Sequence, residues 1–241
     1  MRYKKKILIF ILASLSTNLL IGCTPNKVYK TTDDSKYIYQ EKNYNYSFER
    51  LSKLLNINKT DLENELTLKN GNNIFKLVPA TQSSTDLDFY KDLVVYGDKE
   101  YTKLYFQNKK MKNEEQAKSH YSSYMTDMWK NSPPHSLFFL ISLNDERVGI
   151  ISTSALVSSD EVTIGYITKQ SKTNRGIATN SLKIIVQLLK NIKNNNTYKY
   201  SKLSLWIFDE NVNSIKVAKR NGFELSEKNY EQQLSKYTLS L

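Results

Sequence analysis

An α+β (α/β) chain is predicted, on three observations. Short runs of β-branched and aromatic residues alternate with longer segments whose apolar residues recur every three or four positions. Within residues 161–193 a glycine joins one such strand to one such helix. Finally, 39% hydrophobic and 12% aromatic residues among 241 supply a packed core, and 7 Gly with 4 Pro are too few for a linker-rich or fibrous chain.

Taken in order, residues 1–22 read as a lipoprotein signal peptide, to be set aside before fold reasoning. Arg2, Lys4, Lys5 and Lys6 precede an apolar stretch, and Leu20, Ile21, Gly22 and Cys23 follow it, an arrangement that resembles the lipobox of bacterial lipoproteins. The resemblance implies lipidation at Cys23, the chain's only cysteine, and a protein held on the extracytoplasmic face of a bacterial cell membrane. An uncleaved anchor is the other reading, although about 16 apolar residues are few for a span. Without the four basic residues of the leader the net charge falls from +11 to +7. That excess is scattered Lys, which suits an anionic surface or an anionic cofactor, and no Arg-rich groove points to nucleic acid.

Residues 23–46 are polar and aperiodic and read as a tether. Residues 47–73 form a small helical appendage: Phe48, Leu51, Leu54, Leu55, Leu62 and Leu66 suit two short helices, broken near Asn56 and restarted by a Thr60 cap with Glu63 three residues on. A domain follows over residues 74–241. Phe75, Lys76, Leu77 and Val78 alternate as its first strand, and residues 81–95 and 113–129 carry helical spacing, the second through Ala117, Tyr121, Met125 and Met128. Two strands, 137–142 and 148–153, flank a polar turn at Asn144 and Asp145, which is a hairpin signal. Val162, Ile164, Tyr166 and Ile167 make a further strand, and Leu182, Ile185, Leu189 and Ile192 one face of a long helix. Strand 203–208, a helix from Asn211 and a closing strand over 233–241 complete the order.

Between that central strand and the long helix lie Arg175, Gly176, Ile177, Ala178 and Thr179. The first turn of a helix leaves unpaired N–H groups at the positive end of its dipole, so a glycine and small neighbours there let a phosphate approach, with Arg175 adding charge. A plain structural turn is the other reading. Neither the P-loop nor the dinucleotide fingerprint is present. Thr173-Asn174-Arg175-Gly176-Ile177-Ala178 resembles the acetyl-CoA loop of the GNAT acyltransferase superfamily, Gln/Arg-x-x-Gly-x-Gly/Ala, with Thr173 where Gln or Arg is usual. The segment running from Asn211 through Ser214 to Asn221-Gly222-Phe223 is similar to the branch that acetylates ribosomal-protein N-termini and related amines.

The resemblance implies a GNAT fold, a mixed, mostly antiparallel twisted sheet flanked by helices. It also implies an acetyl-CoA co-substrate and an amine acceptor. In the family two central strands splay apart and grip the pantetheine arm, a role that falls on Tyr166, Ile167 and Thr168, with the loop residues and Asn211 completing the coenzyme site. Many members protonate the departing thiolate with a tyrosine where this chain has Ala218; Ser214 is the expected substitute, with helix capping as its alternative. Glu161 is the expected base, with an exposed strand end as its alternative. His120 and His135 are the only histidines, so neither a metal site nor a Ser/His/Asp triad is expected. Export sits awkwardly with a cytoplasmic donor. A catalytically inactive surface lipoprotein that keeps the fold as a binding module is therefore the alternative function.

Overall fold

The structure is a computed structural model that describes residues 41–98, 101–102, 111, 113–194 and 198–241. The expected leader, Cys23 and the tether up to residue 40 lie outside the described residues. Strands β1 (Thr67–Asn70), β2 (Asn73–Pro79), β3 (Leu137–Leu143), β4 (Glu146–Ser154), β5 (Glu161–Thr168), β6 (Lys202–Phe208), β7 (Glu224–Asn229) and β8 (Leu234–Ser240) form one sheet in the order β1-β2-β3-β4-β5-β6-β8-β7. Helices are α1 (Glu41–Leu55), α2 (Lys59–Glu65), α3 (Ser84–Val94), α4 (Glu114–Trp129), α5 (Ile177–Asn194) and α6 (Val212–Arg220).

The strand ladders are antiparallel except for β5–β6, which α5 connects as a crossover. A parallel pair needs such a connection, because its second strand must restart at the same end of the sheet. The β3–β4 connection needs only Asn144 and Asp145, both at positive φ (50° and 65°), the two-residue turn whose twist matches that of the strands. β3 is buried along its whole length, so it reads as a continuous apolar run without alternation.

Helix α5 carries the amphipathic face expected of it, with Leu182, Ile185, Leu189 and Ile192 fully buried and packing reaching β1 to β5. α3 and α4 pack on each other, and α4 on β3. A buried ion pair, Arg147 to Asp86 at 2.7 Å, ties the start of β4 to the first turn of α3. Asp86 also accepts from the Thr81 amide and hydroxyl, at 2.8 and 2.7 Å, so its charge is compensated on both oxygens.

Several details differ from the sequence reading. α1 begins at Glu41, inside the stretch read as tether, and α2 is capped by Asn58, whose side chain accepts from the Thr60 amide, not by Thr60. Residues 47–73, read as a small helical appendage, also contribute strand β1, which lies along the outer edge of β2 from Thr67 opposite Lys76 to Asn70 opposite Asn73. Phe48, Leu51, Leu55, Leu62 and Leu66 enter the same hydrophobic core as the sheet. Arg50 donates to the Trp129 carbonyl at 2.9 Å and sits over the Trp129 ring, and Asn191 of α5 donates to Glu65 at 2.7 Å. β7 was also unforeseen: it is an exposed, charged edge strand with no hydrophobic alternation to betray it.

Candidate active site

The parallel β5–β6 ladder runs from Glu161 opposite Lys202 to Thr163 opposite Ser204 and then stops. Beyond it, Ile164 to Thr168 stay paired to β4, and Leu205 to Phe208 stay paired to β8. The two strands part, because each follows its antiparallel neighbour. Tyr166, Ile167 and Thr168 therefore border a cleft in which the backbone on the β6 side has no ladder partner among the described residues. The Thr163 and Ser204 hydroxyls, 3.2 Å apart, mark its closed end.

At the C-terminal end of β5 the chain makes a 3₁₀ turn, Gln170–Lys172, fixed by an ion pair from Lys172 to Glu146 at 2.8 Å. Asn174 and Gly176 then take positive φ, 62° and 73°, and α5 begins at Ile177. A side chain at Gly176 would meet the Asn180 amide nitrogen at 3.2 Å. Asn180 donates both its backbone N–H and its side chain to the Gly176 carbonyl, at 2.9 and 3.0 Å, which locks the first turn. Arg175 is exposed, whereas the Ile177 side chain is buried in the core, so Ile177 has only its backbone to offer a ligand. The amides of Ile177, Ala178 and Thr179 are the unpaired donors that a helix start presents.

Asn211 is the N-cap of α6, its side chain accepting from the Ser214 amide at 3.1 Å. Ser214 is therefore not the cap, and its side chain lies within reach of Tyr166. The Tyr166 oxygen is buried and has no hydrogen bond of standard geometry. Burial pushes its pKa up to about 12, the facing Ser214 hydroxyl offsets part of that, and the Tyr101 phenol adds to it. Tyr101 itself is hydrogen-bonded to Thr168 Oγ1 at 2.8 Å.

A strand pair that parts beside a glycine-led helix N-terminus is the geometry the sequence resemblance implied, and the sequence model of the acetyltransferase (GNAT) domain matches residues 76–224, more than half of the chain. The chain belongs to the GNAT acetyltransferase family. Solved structures share the fold. A domain from Methanocaldococcus jannaschii superposes with a TM-score of 0.55 at 22% identity, over 69% of this chain and 99% of that one. RimL, a ribosomal L7/L12 alpha-N-protein acetyltransferase, gives 0.56 at 17% identity over 73% and 94%. The spermidine N-acetyltransferase from Vibrio cholerae, solved with CoA and spermine, gives 0.56 at 13% over 69% and 95%. Comparison with curated protein sequences returns no match.

Within this GNAT domain the structure brings Tyr166 and Ser214 together, Asn211 caps the helix that carries Ser214, and Arg175 to Thr179 lie at the start of α5. Glu161 is not with them. It opens β5 in the paired part of the ladder, in an ion pair with Lys236 at 2.8 Å, five residues or about 16 Å along the strand from Tyr166. Ala218 is fully buried. His120 lies under α3, its Nδ1 2.6 Å from the Tyr90 hydroxyl, and burial pushes its pKa down to about 4. Among the described residues no cluster of His, Cys, Asp or Glu could hold a metal ion.

Sequence reasoning missed Tyr101, Asn180 and Asn221. Tyr101 stands in a tyrosine-rich stretch without periodicity, and nothing local distinguishes it. Asn180 did leave a signal, as a polar residue beside the buried face of a strongly amphipathic helix. Asn221 was visible in the Asn-Gly-Phe segment but had no assigned task.

Proposed function

We propose that the chain is an N-acetyltransferase that carries an acetyl group from acetyl-CoA to a primary amine; two of its structural neighbours are named as an alpha-N-protein acetyltransferase and a spermidine N-acetyltransferase. The observation that carries this reading is the parting of β5 and β6 beyond Thr163 and Ser204, opening toward the Gly176 loop at the start of α5. Bound there, the coenzyme supplies a thioester activated for transfer to nitrogen. The residues present fit it: Arg175 and the amides of Gly176 to Thr179 suit a pyrophosphate, and the edge of Tyr166 to Thr168 suits the amides of a pantetheine arm. The free N–H groups along β5 are placed to polarise the thioester carbonyl, and Ser214 lies at the cleft wall where the sulfur departs.

The anchor belongs to the same proposal: acylated Cys23 holds the domain at the extracytoplasmic face of the membrane, so the donor must reach it there. Among the described residues no helix is long and apolar enough to cross a membrane. Labelled palmitate should enter the wild-type chain and not Cys23→Ala, and protease added to intact cells should reach the domain.

Calorimetric titration of the detergent-solubilised full chain with acetyl-CoA and CoA tests the central reading, followed by thiol release with spermidine, amino sugars and N-terminal peptides. Micromolar binding, weakened by salt and by Arg175→Glu, is expected. Absence of binding to either coenzyme form would overturn it and leave the binding-module alternative.

A further inference from the structure

Departure of a thiolate is eased by a proton, and the position from which many GNAT members deliver one is occupied here by Ala218, a buried methyl with nothing to give. A phenol nevertheless reaches the cleft from another element. Tyr166 projects from β5 in the part of the strand that has left β6, and its hydroxyl is buried, without a hydrogen bond of standard geometry, opposite Ser214. The other phenol nearby, Tyr101, is already engaged with Thr168. A buried hydroxyl whose one neighbouring side chain, Ser214, meets it outside standard hydrogen-bond geometry is incompletely satisfied, and that points to an atom supplied by a ligand.

Resting on the acetyltransferase reading above, we infer that Tyr166 is the proton donor to the departing sulfur and that Ser214 relays the proton that restores it. The amine nitrogen attacks the thioester carbonyl carbon and a C–N bond forms. The C–S bond breaks with its electron pair on sulfur, and the Tyr166 Oη proton moves to that sulfur to give the thiol. The surplus proton on nitrogen passes through the Ser214 hydroxyl to the Tyr166 oxygen. Thioester and amine thus become amide and thiol, and both side chains end as they began. Burial keeps the phenol protonated across the working pH range, so the donor form is the resting form.

The test is Tyr166→Phe in the full chain, which keeps the ring and deletes the oxygen. Expected are a loss in kcat of about 100-fold and a CoA Kd within about twofold of wild type. The loss should shrink at least about tenfold when an aryl thioester, whose thiolate leaves without a proton, replaces the CoA thioester. Difluorotyrosine at position 166, a milder change, should bring the alkaline limb of kcat down in pH. Ser214→Ala added to Tyr166→Phe should cost little more than either alone. An unchanged kcat in Tyr166→Phe, or an equal loss with both donors, would overturn the inference while leaving the acetyltransferase reading intact. A wild-type chain that binds no CoA overturns both.

Discussion

The Asn221 side-chain amide donates to the carbonyl of Thr179, at 3.3 Å, joining the C-terminal end of α6 to the first turn of α5. The same nitrogen donates to the Val217 carbonyl at 2.9 Å. One asparagine therefore couples the helix that carries Ser214 to the helix start that would hold a pyrophosphate. Asn221→Ala should lower stability by about 1 kcal/mol, or about 2–4 °C in Tm for a domain of this size, and lower kcat more than coenzyme affinity. Thermal melts with and without CoA, beside steady-state kinetics, measure both.

Gly176 holds φ at +73°, and a Cβ there would come within 3.2 Å of Asn180 Nδ2. Gly176→Val should therefore cost about 1–2 kcal/mol in backbone strain and crowd the amides at the head of α5. CoA affinity should fall at least about tenfold, equivalent to 1.4 kcal/mol, with the circular dichroism spectrum retained. Calorimetric titration decides it, and unaltered affinity would remove the loop from the coenzyme site.

His120 is half-buried and held as the neutral imidazole, with its pKa pushed down from 6.5 to about 4 by desolvation. The folded state thus binds fewer protons than the unfolded state between those values, and stability is lost as pH falls through that window. The loss should be on the order of 3 kcal/mol by pH 4. Chemical denaturation from pH 7 to pH 4 should show the decline, and His120→Gln should flatten it. Carboxylates add their own acid dependence, so the difference between the two proteins is the quantity to read.

Leu51 is fully buried in α1 and belongs to the core that the sheet shares. Leu51→Ala should cost about 2–5 kcal/mol, as large-to-small changes in packed cores do. A chain begun at residue 74 should aggregate, since it uncovers the outer edge of β2 that β1 now occupies. Urea denaturation of the first variant and size-exclusion chromatography of the second are the measurements. A monomeric, folded truncation would show that the N-terminal segment is dispensable.

Local patterning determined most elements here. The repeat of Leu182, Ile185, Leu189 and Ile192, the β-branched runs of β3 to β6, and the Asn144-Asp145 turn are short-range signals, since each residue's preference is set by neighbours within one or two turns. The glycine turn that starts α5 is a short-range signal too, because helix-start chemistry is written in a few consecutive residues. Tertiary structure alone decided three matters. It parted β5 from β6 after Thr163 because β4 and β8, distant in sequence, hold the two strands to different courses. It paired Glu161, the expected base, with Lys236, 75 positions away, in the part of β5 that stays joined to β6. It also set the buried Tyr166 hydroxyl, without a hydrogen bond of standard geometry, against Ser214. A side chain's burial and partners depend on elements that its own neighbourhood in the sequence does not encode.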